Sequence, residues 1–401
     1  MNFETFNLHP SIMAGVRALG YTEPTPIQEQ AIPPIMQGRD LIGLAQTGTG
    51  KTAAFVLPIL HRLLGAPRGH LQALVVSPTR ELAEQTSEFF VALGKETRLR
   101  SLAIYGGVGA SPQVQKLNRG VEIVVACPGR LLDLLWQGVI DLSHLKVLVI
   151  DEADRMFDMG FLPDIRNILR CIMNPRQTLL FSATMPKDIR ALVQEVLQNP
   201  VTVQIGRTLP AQTVSHALYP VRQHLKTELL SKLLHNIKTE SVLVFTRTKH
   251  RAERVAQQLG RAGYQVASLQ GNMSQYQRQE ALDGFRDGYY KILVATDIAA
   301  RGLDVSRISH VINYDMPGST DDYIHRIGRT GRVNRSGDAL TFVTDDDTGT
   351  VSALERILGA TLERRTLPEF DYQKPAPARD MSRPPHQLRR GMARKQRIGN
   401  R

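Results

Sequence analysis

Short runs that are apolar on both faces recur along this chain, and longer stretches of helical pattern separate them. Ala73–Ser77, Val121–Val125, Lys146–Ile150 and Gln177–Phe181 form a first series, and Ser241–Phe245, Lys291–Ala295 and His310–Asn313 form a second. A half-exposed strand alternates apolar and polar residues; a strand covered by helices on both sides does not. The alternation of such strands with helices predicts an α/β fold built on mostly parallel sheets flanked by helices. A chain of 401 residues also exceeds what one hydrophobic core normally serves. Gly206–Gln212, polar and punctuated by Gly and Pro, separates the two series. The expected division is a domain at 1–207, a linker at 208–213 and a second domain at 214–370.

Beyond about Phe370 the composition changes. Residues 371–401 hold few large apolar side chains and carry Arg383, Arg389, Arg390, Arg394, Lys395, Arg397 and Arg401. Such a segment is expected to be a disordered basic tail, serving as an RNA-binding arm or merely as a solubilising end. The whole chain has 50 Lys and Arg against 38 acidic residues, a formal charge of +12. That excess favours a polyanion (RNA, DNA or an anionic membrane), and charge alone does not separate these from a solvated basic surface. No apolar stretch approaches the roughly 20 residues of a membrane-spanning helix, and Met1–Thr5 has no signal-peptide character. Cys127 and Cys171 are too few for a disulfide framework and lack metal-ligand spacing, which suits a reducing, cytoplasmic setting.

Two segments carry chemistry. Ala45, Gln46, Thr47, Gly48, Thr49, Gly50, Lys51 and Thr52 follow the strand-like Asp40–Leu44 and open a helical run. In that context backbone N–H groups and a helix N-terminus cradle phosphates, Lys51 neutralises the β- and γ-phosphates, and the Thr52 hydroxyl ligates Mg²⁺. Ala45 stands where the general pattern has its first glycine, while Gly48 and Gly50 keep the freedom the tight turn needs. The second segment is Asp151-Glu152-Ala153-Asp154, at the end of the fully apolar Lys146–Ile150. Ligands of open α/β sheets bind at such strand ends. Asp151 there can hold Mg²⁺, with Glu152 beside it, and Glu152 can polarise an attacking water as general base. Together the two segments point to hydrolysis of a nucleoside triphosphate.

With Ser182-Ala183-Thr184 and the run His325 to Arg332, these residues resemble the DEAD-box ATP-dependent RNA helicases, in the family's order from about Phe3 to Thr344; the wording is most similar to the bacterial RhlE-type branch. The resemblance implies two tandem RecA-like domains that close on ATP and RNA. It assigns adenine recognition to Gln28, supported by Phe3, Tyr21 and Thr25; an amide can pair with adenine N6 and N7, and a ring can stack on the base. Arg329 and Arg332 are implied to be arginine fingers from the second domain, and Asp304 to contact the ribose. Asp154, Ser182, Thr184 and His325 would couple hydrolysis to strand separation; helix capping is the plainer reading of Ser182 and Thr184, and both roles can hold together.

The RNA positions implied are Pro78, Thr79, Arg80, Gly107, Pro128, Gly129 and Arg130 in the first domain, and Gln270, Gly271, Arg278 and Thr296 in the second. Their chemistry suits phosphate contacts, which position a strand without reading its sequence. Cys127 departs from the family's Thr before Pro-Gly-Arg, and a thiol is the weaker hydrogen-bond donor. The expected activity is RNA-stimulated ATP hydrolysis that unwinds short duplexes or remodels RNA–protein complexes. An ATP-gated RNA clamp and a DNA translocase are the alternatives. Ribosomal precursors and RNA-degradation machinery are equally open as partners, and no membrane is expected.

Overall fold

The computed structural model describes residues 2–46, 48–205, 214–237, 241–300, 308–330 and 337–376, with the side chains of Ile298 and Asp321 left aside. Seven strands belong to the first half: β1 (Leu41–Leu44), β2 (Ala73–Val76), β3 (Ser101–Ile104), β4 (Ile123–Ala126), β5 (Val147–Ile150), β6 (Gln177–Ser182) and β7 (Val201–Gln204). Seven belong to the second: β8 (Val214–Pro220), β9 (Val242–Thr246), β10 (Val266–Leu269), β11 (Ile292–Thr296), β12 (His310–Asn313), β13 (Gly337–Val343) and β14 (Glu363–Arg364). The first sheet runs β3-β4-β2-β5-β6-β1-β7 and the second β10-β11-β9-β12-β13-β8-β14. Every pairing is parallel, so the expectation of mostly parallel sheets is met in full.

The apolar runs explain this layering. Along β2, β5 and β6, Val75, Val149 and Leu179 enter one buried cluster, while their neighbours Leu74, Leu148 and Leu180 enter another on the opposite face. The second sheet repeats the scheme, with Val242, Val244 and Val294 on one face and Leu243, Phe245 and Leu293 on the other. Each such side chain contributes about 1.5–3 kcal/mol on burial. Two of the strands absent from the sequence reading show where this signal fails. β7 has three of its four residues partly or fully exposed, and β8 carries His216 and ends in Pro220.

Strand order places the chemistry. The strands β5, β6 and β1 lie side by side, so their C-terminal ends bring Asp151–Asp154, Ser182–Thr184 and Ala45–Thr52 together. The strands β3, β4 and β2 form the other half of the sheet, and Gly107, Pro128–Arg130 and Pro78–Arg80 follow their ends. Residues 371–376, expected to begin a disordered tail, instead pack on the second lobe. Tyr372 lies edge-on to the buried Phe370 and its hydroxyl accepts from Leu367 N at 2.8 Å, and Lys374 pairs with Glu228 at 2.9 Å. Two aromatic rings supply burial that the basic composition obscured. The linker at 208–213 and the tail from 377 lie outside the described residues.

Candidate functional site: a nucleotide cleft between two lobes

The phosphate loop turns where only glycine is comfortable. Gly48 (φ 85°) and Gly50 (φ 92°) are left-handed, and Gly50 caps the helix Lys51–Leu63. A Cβ on Gly50 would lie 2.4 Å from Gln28 Nε2 and 2.9 Å from Thr25 Oγ1. That closeness lets Gln28 Nε2 donate to Gly50 O at 3.1 Å, while its Oε1 accepts from Thr25 N at 3.0 Å. The amide thus ties the helix Pro26–Met36 to the loop, with one donor and one acceptor site still unused by those bonds. Phe3 is in the core and stacks on Tyr21, with centroids 6.2 Å apart; Tyr21 is the exposed ring of the pair. Lys51 is buried and donates from Nζ to Ala45 O at 2.7 Å, and Thr49 Oγ1 donates to Gln46 O at 2.8 Å. Thr52 is half-buried in the first turn of the helix, and Thr47 lies outside the described residues.

Beside the loop three carboxylates are buried: Asp151, Glu152 and Asp154. Burial, then the Glu152 charge, pushes Asp151 up to about 7, against the pull of Lys51. Burial also works to raise Glu152, but Arg155, Lys51 and Arg329 outweigh it and hold Glu152 below the usual carboxylate range. Arg155 makes a direct ion pair with Glu152 one helical turn away. Asp154 serves differently. Its Oδ2 accepts from Ala183 N (3.0 Å), Thr184 N (2.9 Å) and Thr184 Oγ1 (3.1 Å). Ser182 Oγ accepts from Asp154 N at 3.2 Å and donates to Thr184 O at 2.7 Å. The acidic run and the Ser-Ala-Thr segment are therefore one hydrogen-bonded unit.

The second lobe completes the cleft. On the helix Thr320–Ile327, Arg326 grips Asp297 through two bonds of 2.5 and 2.7 Å and also donates to Asn313 Oδ1 and Asp315 O. Its guanidinium is consumed within its own lobe, over the Phe245 ring. Arg329, just beyond that helix, lines a narrow gap with Arg155 and His325, and its charge acts on Glu152. His325 is lowered by burial, against the pull of Asp154, so its imidazole is neutral near pH 7. A cavity of about 600 Å³ opens between the lobes, lined by Asp154, Thr184, Arg247, Thr296 and His325 among others. Asp304 and Arg332 lie outside the described residues.

The positions assigned to RNA gather on the adjoining half of the molecule, but several are already engaged. Arg278 donates to Glu81 Oε1 through Nε (2.7 Å) and Nη2 (2.5 Å), a buried ion pair across the two lobes. Arg80 reaches Gln275 Oε1 at 3.4 Å, also across the seam. Gly107 (φ 80°) makes room for it, because a Cβ there would meet the Arg80 guanidinium at 2.3 Å. Thr79 caps the helix Arg80–Leu93 by accepting from Leu82 N, and Gln270 Oε1 accepts from Asn272 N at 2.6 Å. Pro128 opens the helix Pro128–Trp136, and around Gly129 and Gly271 there is open space. Arg130 donates to Val108 O at 3.1 Å, while its Nη1 is buried with no hydrogen-bond partner among the described residues. Cys127 caps the same helix without a side-chain bond, and burial pushes its thiol up to about 12.

Sequence reasoning missed Arg155 and Gln275, and did not foresee the pairing of Glu81 with Arg278 or of Asp297 with Arg326. Arg155 was detectable, since it stands three residues after Glu152 on a helix. The pair Glu81–Arg278 spans 197 residues and has no local signal.

Known proteins share this arrangement. Residues 25–192 match the DEAD/DEAH box helicase family, and residues 225–334 match the helicase conserved C-terminal domain. The ATP-dependent RNA helicase CshA of Listeria monocytogenes is 41% identical over 370 residues, covering 92% of this chain and 71% of that protein. S. cerevisiae Dbp5 bound to RNA and ADP BeF3 superposes with a TM-score of 0.83 at 31% identity, covering 91% of this chain and 95% of that one. A Dbp5 variant bound to nup159, gle1, ip6 and adp, also 31% identical and covering 89% and 95%, gives 0.64. The two lobes here are thus set closer to the former arrangement. On sequence and fold alike, the chain belongs to the DEAD/DEAH box helicase family.

Proposed function

We propose that this chain is an ATP-dependent RNA helicase in which hydrolysis is completed only when the lobes meet. Lys51 and the loop Ala45–Thr52 hold the triphosphate, and Gln28, with Tyr21, Phe3 and Thr25 behind it, reads the adenine. Thr52, Asp151 and Glu152 form an oxygen-rich set suited to Mg²⁺, and Asp151, which burial and the Glu152 charge raise more than Lys51 lowers it, fits beside a hard divalent cation. The metal, when bound, offsets negative charge on the phosphates. Glu152, ionised at neutral pH, orients a water and takes its proton as the water oxygen bonds to the γ-phosphorus and the bond to the β-phosphate oxygen breaks. Arg329, with Arg332, stabilises the charge that develops, and Asp304 contacts the ribose.

What supports this reading most is the disposition of two arginines three residues apart. Arg326 is bound inside its own lobe by Asp297, Asn313 and Asp315, whereas the charge of Arg329 acts on the Glu152 carboxylate of the other. Asp154, Ser182, Thr184 and His325 then carry the change at the phosphates toward the RNA positions, Pro78–Arg80, Gly107, Pro128–Arg130, Gln270, Gly271, Arg278 and Thr296. RNA bound through phosphates is held without sequence preference. We further propose placement in the RhlE-type branch, domains at 1–207 and 214–370, a cytoplasmic setting, and ribosomal precursors or RNA-degradation machinery as partners. Among the described residues no helix is long and apolar enough to cross a membrane.

Glu152→Gln tests the assignment of the base. Steady-state ATPase with saturating RNA should fall by about 10²–10⁴ while ATP and RNA still bind. Turnover at the parental rate would remove Glu152 from that role.

A further inference from the structure

Away from the cleft, at the N-terminal end of β6, the first lobe has a cavity of about 490 Å³ lined by Arg166, Leu169, Arg170, Arg176, Glu195 and Val196. Three guanidinium groups share it with one carboxylate. Arg166 uses that carboxylate fully, bonding Glu195 through Nε at 3.2 Å and Nη2 at 2.8 Å. Among the described residues, Arg170 reaches only the neutral Asn167 Oδ1, at 3.3 Å. Arg176 has its Nε buried with no hydrogen-bond partner among the described residues. Burial lowers its pKa, and Asp40, the opposing charge, is itself bonded to Thr178 N and Gln198 N at 2.7 Å each. A buried guanidinium N–H without an acceptor is destabilising, and nothing in the cleft chemistry calls for this cluster.

Guanidinium forks match phosphate oxygens in pairs, and two of them flanking one hollow suit a phosphodiester better than a lone carboxylate. The chain's +12 charge favours a polyanion over an isolated acidic side chain. Strand β6 connects the hollow to the cleft. Arg176 precedes it and Ser182 ends it, so its six residues at about 3.3 Å each separate the two by about 20 Å. Because β6 is buried along its whole length, RNA leaving the cleft reaches the hollow around the surface of the lobe, by a path longer than this separation.

We propose that the Arg166–Arg170–Arg176 hollow is a second phosphate-binding station, engaging the backbone of RNA that extends beyond the interlobe cleft. The proposal rests on the RNA-binding reading given above. It makes RNA length a determinant of affinity: a short strand occupies the cleft alone, and a longer one also reaches the rear of the first lobe.

The test uses the full chain with a non-hydrolysable ATP analogue and single-stranded oligouridine RNAs of about 10 and about 30 nucleotides, titrated across salt concentrations. The Arg170→Ala/Arg176→Ala variant should bind the short RNA within about twofold of the parent. It should lose about 5–20-fold on the long RNA at low salt, with a log–log salt slope shallower by about 2. Arg170→Lys/Arg176→Lys, which keeps charge but not the fork, should recover most of the slope. Arg170→Ala alone, at an exposed position, repeats the comparison should the double variant melt early. Equal losses on both RNAs, or an unchanged long-RNA affinity, would overturn the proposal and leave the cleft assignment standing. A parent that binds neither RNA would overturn the RNA-binding reading itself.

Discussion

Glu152 occupies the left-handed region (φ 50°, ψ 53°) as an L-residue, at a cost of about 1–3 kcal/mol. Its carboxylate pairs with Arg155 and is also acted on by the charges of Lys51 and Arg329, while Lys51 pulls on Asp151 as well. The two acids therefore differ in state: cations hold Glu152 ionised, whereas burial and its neighbour's charge raise Asp151 to about 7. The sign of the consequence is definite. A carboxyl raised above its unfolded value contributes stability below that unfolded value and loses it as pH rises through the folded one. For Asp151 the loss runs from about pH 4 to about pH 7. Asp151→Asn should accordingly melt higher than the parent at pH 8 without nucleotide or metal, by about 2–4 °C per kcal/mol gained, and the gap should close toward pH 5. Calorimetry at the two pH values checks this, and a variant melting lower at pH 8 would show Asp151 to be stabilising when ionised. The identities of Asp151, Glu152 and Lys51 were legible because each motif is contiguous. Their unequal ionisation was not, because it depends on burial and on how Arg155, Lys51 and the distant Arg329 are placed around Glu152.

At the level of elements, the strands that sequence could recognise were those buried on both faces, such as β2, β5 and β11. The edge strands β3, β7 and β14 carry mixed patterns and are defined by their neighbours instead. Caps tell a similar story. Cys127 begins the helix Pro128–Trp136 without a side-chain cap, its thiol buried and protonated. Cys127→Thr supplies an acceptor for the first turn and should stabilise the protein by about 0.5–1 kcal/mol. RNA affinity should tighten modestly or stay level; a clear loss in a filter-binding titration would argue that Cys127 does not stand on the RNA face. The contact between the helices Arg80–Leu93 and Gln275–Arg286 is of another kind. Glu81 and Arg278 are both buried and meet only because the lobes are together. Removing one member of a buried pair commonly costs about 3–5 kcal/mol. Glu81→Ala should then weaken RNA binding in the presence of a non-hydrolysable ATP analogue by at least about tenfold, with far less effect in its absence. Equal losses in both conditions would mean that Glu81 acts within its own lobe.

For the whole molecule, each sheet is divided by strand order. In the first lobe β5, β6 and β1 present the phosphate loop and acidic run, while β3, β4 and β2 present the basic, glycine-punctuated face. The hydrogen bonds from Asp154 to Ala183 and Thr184 join the acidic run to the neighbouring segment that lines the interlobe cavity. Two lobes and a triphosphate site could be read from strand alternation and spacing. Spacing alone does not say which arginine crosses the cleft; the family resemblance named Arg329 with Arg332, and Asp297, Asn313 and Asp315 claim Arg326. The central claim is that ATP hydrolysis waits for Arg329 to reach Glu152 and the phosphates. RNA-stimulated ATPase of Arg329→Ala, measured beside its ATP affinity, tests it most directly. Turnover should fall by about 10³–10⁵ with ATP binding changed by no more than about threefold, and turnover within tenfold of the parent would contradict the account.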